Sequence, residues 1–275
     1  DRLMQDGGDA LGGTLQTSTV LFSDIRSFTA LSEKVGPQET VGMLNEYFTI
    51  MADIVMAERG ILDKYIGDAI MAVFGAPLST GRDADHAVRA AIDMLAALRA
   101  FNHRRGKLNK DAIDIGIGVN TDEVLSGNIG SAKRMDYTVI GDGVNLAARL
   151  ESANKTYGTR LLLSELTVNE LTDDFALRQV DRITVKGKSA PVGIFEPKAA
   201  WFTTEPVDVD TLFGVFGEGI ALYRQREWAH ATKRFEEALR IGPDKVSQLY
   251  VKRCAHFAAN PPPTDWAGEW VMTTK

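Results

Sequence analysis

The chain of 275 residues is 44% hydrophobic and 25% charged, an ordinary globular composition that excludes disorder as its dominant state. Lysine and arginine total 31 against 37 aspartates and glutamates; the resulting formal charge of -6 removes the electrostatic footprint of a general nucleic-acid binder. A single cysteine, Cys254, excludes an intrachain disulfide framework and a multi-cysteine zinc site and is consistent with a cytoplasmic location. No run of about 18 uninterrupted apolar residues occurs, so no membrane contact is expected within this segment, although a start at Asp1 leaves room for upstream regulatory or membrane-tethering parts.

Residues 1–16, with Gly7-Gly8 and Gly12-Gly13, read as a flexible lead-in, and Thr17–Ser23 as a short buried strand ending at Asp24. A helical pattern follows, and Gly36-Pro37 opens a second helix whose apolar positions Val41, Leu44, Tyr47, Phe48, Met51, Ile54 and Val55 recur every three or four residues. The period then changes: Ile61–Ile66 and Ala69–Phe74 predict a hairpin with Gly67-Asp68 at its tip. Asp83 to Arg105 is Ala-rich and helical. Ile113–Val119 alternates strictly as a strand, with Val124–Ile129 as its expected partner. Tyr137–Ile140 is a short strand, and Asp142 is placed to cap a helix reaching Lys155. Leu161–Leu163, a helix capped by Ser164, and two strands around Lys186-Gly187-Lys188 complete an alternating pattern through residue 197. The class is α+β with a mixed, mainly antiparallel sheet over 17–200, followed by an all-helical extension over 201–275. In that extension Ala231, Phe235, Ala238 and Pro243, with Gly219, fall at tetratricopeptide-like (TPR-like) spacing. A helical hairpin packed on the main domain or on a dimer partner accounts for the same pattern. Pro261–Pro263 predicts an extended tail with Trp266 and Trp270 docked.

Two carboxylates stand at exposed ends of apolar strands, Asp24 and Asp68, where packing gives them no reason to be. A pair of this kind suits Mg²⁺ carried with substrate phosphates, or alternatively simple turn chemistry. Asn145 and Arg149 are one helical turn apart, aiming an amide and a guanidinium at one place near a helix start. That arrangement suits phosphate oxygens, or a solvated Arg149 paired with Glu151. Lys64, on an otherwise apolar strand, either has a partner or snorkels to solvent. Lys186 and Lys188 either reach a polyphosphate or are solvated turn charges.

Three segments, Phe22–Thr29, Lys64–Gly75 and Asp136–Glu151, resemble in order the signature blocks of the class III nucleotidyl cyclase catalytic domain, over residues 17 to 197. The resemblance implies a ferredoxin-like βαββαβ core working as a head-to-tail homodimer, with two divalent metal ions (Mg²⁺, or Mn²⁺) at each nucleotide site. It implies that Asp24 and Asp68 bind metal, that Lys64 and Thr138 read the base, that Asn145 orients the ribose and that Arg149 stabilises the transition state. Lys186, rather than Lys188, matches the phosphate-contacting lysine. In such dimers the aspartates of one chain face the other residues of its twin. Lysine can donate to adenine N1 and a threonine hydroxyl can accept from the exocyclic amine, so ATP is the expected substrate and an adenylyl cyclase the expected enzyme. Guanine-selective members usually carry Glu at the lysine position, and a guanylyl or dual-specificity cyclase is the alternative. A non-catalytic nucleotide-binding module is disfavoured because the metal aspartates and the arginine are all present. Thr138, where many members carry Asp, resembles the bicarbonate-responsive subgroup and makes bicarbonate an expected activator.

Overall fold

The computed structural model describes residues 13–131, 133–184, 191–201, 206–266 and 268–270. In chain order the elements are β1 (Thr14–Ile25), α1 (Phe28–Val35), α2 (Pro37–Ala57), β2 (Ile61–Ile66), β3 (Ala69–Phe74), α3 (Asp83–Lys107), β4 (Ile115–Ser131), β5 (Arg134–Ile140), α4 (Asp142–Tyr157), β6 (Leu161–Ser164), α5 (Glu165–Asn169), β7 (Leu177–Ile183), β8 (Val192–Pro197), α6 (Val209–Arg224), α7 (Trp228–Ile241) and α8 (Lys245–Ala259). They fall into two compact units, Asp1–Ser152 with Leu166–Asp173, and Ala153–Glu165 with Asp174–Lys275.

In the first unit the strands lie in the order β2-β3-β1-β4, with β5 paired to β4 and each of these neighbours antiparallel. That order, with two helical crossovers, is the ferredoxin-like arrangement. Gly36 adopts a φ of 81° and Pro37 occupies the first turn of α2, so the chain turns sharply into a helix that needs no N–H there. The helix then buries Met43, Tyr47, Met51 and Val55 at four-residue spacing, and each large side chain so removed from water contributes about 1.5–3 kcal/mol. Strand β1 alternates: Ser23 meets the Tyr47 hydroxyl of α2, whereas Val20 and Phe22 join a cluster on the other face with Val144 and Ala147 of α4. Asp24 shares the second face by the same period.

Two sequence expectations change here. Strand β1 starts at Thr14, inside the stretch expected to be a flexible lead-in, because Thr14–Gln16 pair with Ser126–Val124. Val124–Ile129 is not a partner of Ile113–Val119: Ile115–Val119 and Val124–Ile129 belong to one long strand, β4, which pairs with β1 and, over Leu125–Ser131, with β5. The polar run Asn120–Glu123 reads as a turn, yet it pairs with Val20–Thr17, Thr121 bonds the Thr19 hydroxyl at 2.8 Å, and Asn120 donates to the Gly143 carbonyl at 2.9 Å. These bonds partner the Thr19 and Thr121 hydroxyls and the Asn120 amide N–H inside the sheet, while Asn120 Oδ1 stays buried without a hydrogen bond. Gly118 on β4 fixes α4 from below, since a Cβ there would lie 2.2 Å from the Glu151 nitrogen and 2.3 Å from the Ala147 oxygen. Glycine is therefore required for α4 to approach the sheet.

In the second unit β8 lies between β6 and β7, antiparallel to both, and α6, α7 and α8 follow. Arg178 of β7 is buried between two acids, donating to Glu196 of β8 and to both oxygens of Asp244 at 2.6–2.9 Å. Asp244 in turn caps α8, accepting from the Ser247 N–H and hydroxyl. Burial works against ionising Asp244, but Arg178 and the Ser247 donors together hold its carboxyl below the ordinary value. Loss of Arg178 alone would strand two buried carboxylates, and changes of that kind cost about 3–5 kcal/mol. Among the described residues three α-helices thus follow β8 where a hairpin was expected, with α8 tied to β7 through Arg178 and through the Tyr250 hydroxyl on the Val180 carbonyl. Gly219 of α6 lies against the Phe235 ring of α7, where a Cβ would come within 2.6 Å. Trp266 packs on Tyr223, Trp228 and Phe257, and Trp270 on Phe257 and His256.

Candidate active site

Asp24 sits near the end of β1 and Asp68 at the tip of the β2–β3 hairpin, where Gly67 takes a φ of 66° to make the turn. The structure brings them together. Burial, a hydrogen bond and the charge of Asp68, and the charge of Glu151 push the Asp24 carboxyl up to about 7. Asp68 also has one carboxylate oxygen, Oδ2, buried with no hydrogen-bond partner. Two adjacent carboxylates with an orphaned buried oxygen form a hard donor set, and Mg²⁺ or Mn²⁺ fits it. Glu151 of α4, half-buried nearby, has its own carboxyl raised by burial and by Asp68. The raised Asp24 group implies that the metal-free protein is stabilised below pH 4 and loses that contribution as pH rises through 7. Without divalent metal at pH 8, Asp24→Asn is therefore expected to be more stable than wild type by on the order of 1 kcal/mol after screening, while losing activity. Urea denaturation in chelator, at pH 4 and at pH 8, measures the difference.

A second cluster joins residues 74 apart in sequence. Lys64 of β2 donates to the Thr138 hydroxyl of β5 at 3.0 Å, and Thr138 donates to Asp63 at 2.5 Å. Lys64 also stands 3.4 Å from Asp63. Thr138 is buried, while the Lys64 side chain is 41% exposed, so its ammonium is both held and accessible. No hydrogen bond or ion pair among the described residues links this cluster to the aspartate pair.

Asn145 and Arg149 lie one turn apart on α4, both exposed. Asp142 belongs to the first turn of that helix. Lys186 and Lys188 lie outside the described residues. Sequence reading missed Asp63 as a member of the Lys64–Thr138 cluster and Glu151 as a neighbour of the aspartates. Glu151 lies six residues beyond Asn145 and on a different face of α4, a spacing that carries no signal of the aspartates, and Asp63 required knowledge of a strand irregularity.

The model of the adenylate and guanylate cyclase catalytic domain matches residues 13–198. The chain belongs to that enzyme family. It is 42% identical over 188 residues to an adenylate cyclase of Anabaena cylindrica, covering 66% of this chain and 36% of that protein. It is 34% identical over 252 residues to the terminal-differentiation-specific adenylate cyclase of Dictyostelium discoideum, covering 90% of this chain and 12% of that protein. The chain thus spans well under half the length of these relatives. Among solved structures it resembles the adenylyl cyclase CyaB from P. aeruginosa, at 37% identity and a TM-score of 0.63, covering 68% of this chain and 96% of that one. It also resembles the guanylyl cyclase Cya2, at 37% identity and a TM-score of 0.62, covering 71% and 98%. Among the described residues no helix is long and apolar enough to cross a membrane.

Proposed function

We propose that this chain is an adenylyl cyclase catalytic domain that converts ATP to 3′,5′-cyclic AMP and pyrophosphate at two sites shared between the subunits of a head-to-tail homodimer. The observation that carries the reading is the Lys64–Thr138 pair, a donor beside a hydroxyl in a half-buried setting. Lys64 donates to adenine N1 and Thr138 accepts from the exocyclic amine, a pattern that guanine, with O6 as acceptor and N1–H as donor, does not match.

Asp24 and Asp68 would hold the divalent ions, which when bound supply charge stabilisation to the triphosphate and make the ribose 3′-hydroxyl more acidic. Asn145 orients the ribose so that its 3′-oxygen lies in line with the α-phosphorus. The 3′-oxygen bonds to that phosphorus as the bond to the β-phosphate oxygen breaks; pyrophosphate leaves and the hydroxyl proton passes to solvent. Arg149 covers the charge that develops on the α-phosphate, and Lys186 contacts the phosphates. Such a reaction depends on positioning and electrostatics, with no covalent nucleophile.

Residues 17–200 are proposed as the catalytic domain and 201–275 as a TPR-like extension. Thr138 supports placement in the Lys/Thr subgroup and, with it, activation by bicarbonate. The likeness to Cya2 favours a second reading, a guanylyl or dual-specificity cyclase. Metal-dependent turnover of ATP and GTP in parallel, with bicarbonate varied at fixed pH, tests these readings. The expected result is cyclic AMP formation with a clear preference for ATP and a rise in rate with bicarbonate; a preference for GTP would replace the first reading by the second.

A further inference from the structure

The β2–β3 ladder loses register between Leu62 and Lys64. Strict alternation would send Asp63 and Lys64 to opposite faces, but the irregularity lets both reach Thr138. The Asp63 side chain is only 3% exposed, and its Oδ1 takes no hydrogen bond although Lys64 is nearby. A carboxylate buried to this degree on a hairpin needs a purpose beyond turn chemistry.

The proton count supplies one. A threonine hydroxyl has one proton and two lone pairs. In this cluster the Thr138 proton is given to Asp63 Oδ2, and one lone pair is taken by Lys64. What remains is a single lone pair, which can only accept. An exocyclic amine satisfies it; a carbonyl oxygen such as guanine O6 does not. A hydroxyl that donates to a carboxylate is also a stronger acceptor than one donating to water, which offsets the weakness of a neutral Thr at this position. We propose that Asp63 is a specificity-positioning residue: it holds the Thr138 hydroxyl as an obligate acceptor and thereby selects adenine over guanine. The proposal rests on the adenylyl reading above and deepens it.

The experiment compares kcat/KM for ATP and GTP, with Mn²⁺, in wild type, Asp63→Ala, Thr138→Val and the double variant, each confirmed as folded and dimeric. Asp63→Ala releases the hydroxyl proton to donate to O6, so the ATP-to-GTP ratio is expected to fall at least about tenfold. In the Thr138→Val background the same change is expected to leave the ratio where it was, because Asp63 acts through that hydroxyl. Asp63→Leu, which fills the volume with an apolar side chain, gives the same readout should the alanine variant fail to fold. An unmoved ratio in Asp63→Ala or Asp63→Leu, or an equal fall in the Thr138→Val background, overturns the role of Asp63 while leaving the adenylyl reading intact. A wild-type chain that prefers GTP, or that turns over neither nucleotide, overturns both.

Discussion

Mixing Asp24→Ala chains with Arg149→Ala chains is expected to restore about a quarter of wild-type cyclase activity, although each variant alone falls by at least about 100-fold. The expectation follows from where the side chains lie. Asp24 and Asp68 form one cluster, while Arg149 is exposed on α4. If each active site combines the aspartates of one subunit with Asn145 and Arg149 of the other, a mixed dimer has one doubly damaged site and one intact site. Random assortment makes half of the dimers mixed, and half of their sites work. Cyclic AMP formation by equimolar mixtures, with subunit exchange verified by differential tagging, is the measurement. A mixture as inactive as its components, despite exchange, would place the whole site within one chain.

Much of the frame from which this argument starts was legible in the sequence, for identifiable reasons. The β2–β3 hairpin follows from two short apolar-rich runs on either side of the Gly67-Asp68 turn, and the seating of α2 follows from Gly36-Pro37 and a four-residue apolar repeat. Asn145 and Arg149 needed only helical geometry to be placed together. Three features were not legible. The continuity of β4 was hidden because Asn120–Glu123 looks like a turn until the partners of Thr121 and Asn120 are seen. The meeting of Lys64 with Thr138 joins two strands that are not neighbours in sequence, and only a family resemblance suggested it. Asp63 was concealed by the shift in register, which moves a residue across the sheet without changing the pattern that predicts the strand. Local periodicity reports on elements; the chemistry arises where elements cross.

The same crossing determines what happens when Lys64, the proposed base-reading residue, is inverted. Lys64→Glu is expected to reduce ATP turnover by at least about 100-fold, because the proposed donor to adenine N1 becomes an acceptor and N1 has no proton to give. A gain of GTP turnover is not expected from this change alone. The new carboxylate would lie beside Asp63, whose side chain is almost completely buried, and two like charges at that separation cannot both remain ionised without a large cost. Adding Asp63→Asn removes the repulsion, and adding Thr138→Ser or Thr138→Cys varies the group that must now donate to guanine O6. The expected order is loss of ATP use in Lys64→Glu, with GTP use emerging only after Asp63 is neutralised. Parallel kcat/KM measurements for the two nucleotides across this series test it, and the split is informative: a change confined to KM would mean the base is gripped less well, while a fall in kcat would mean the ribose is no longer in line. An unchanged preference for ATP in Lys64→Glu would remove Lys64 from base recognition altogether.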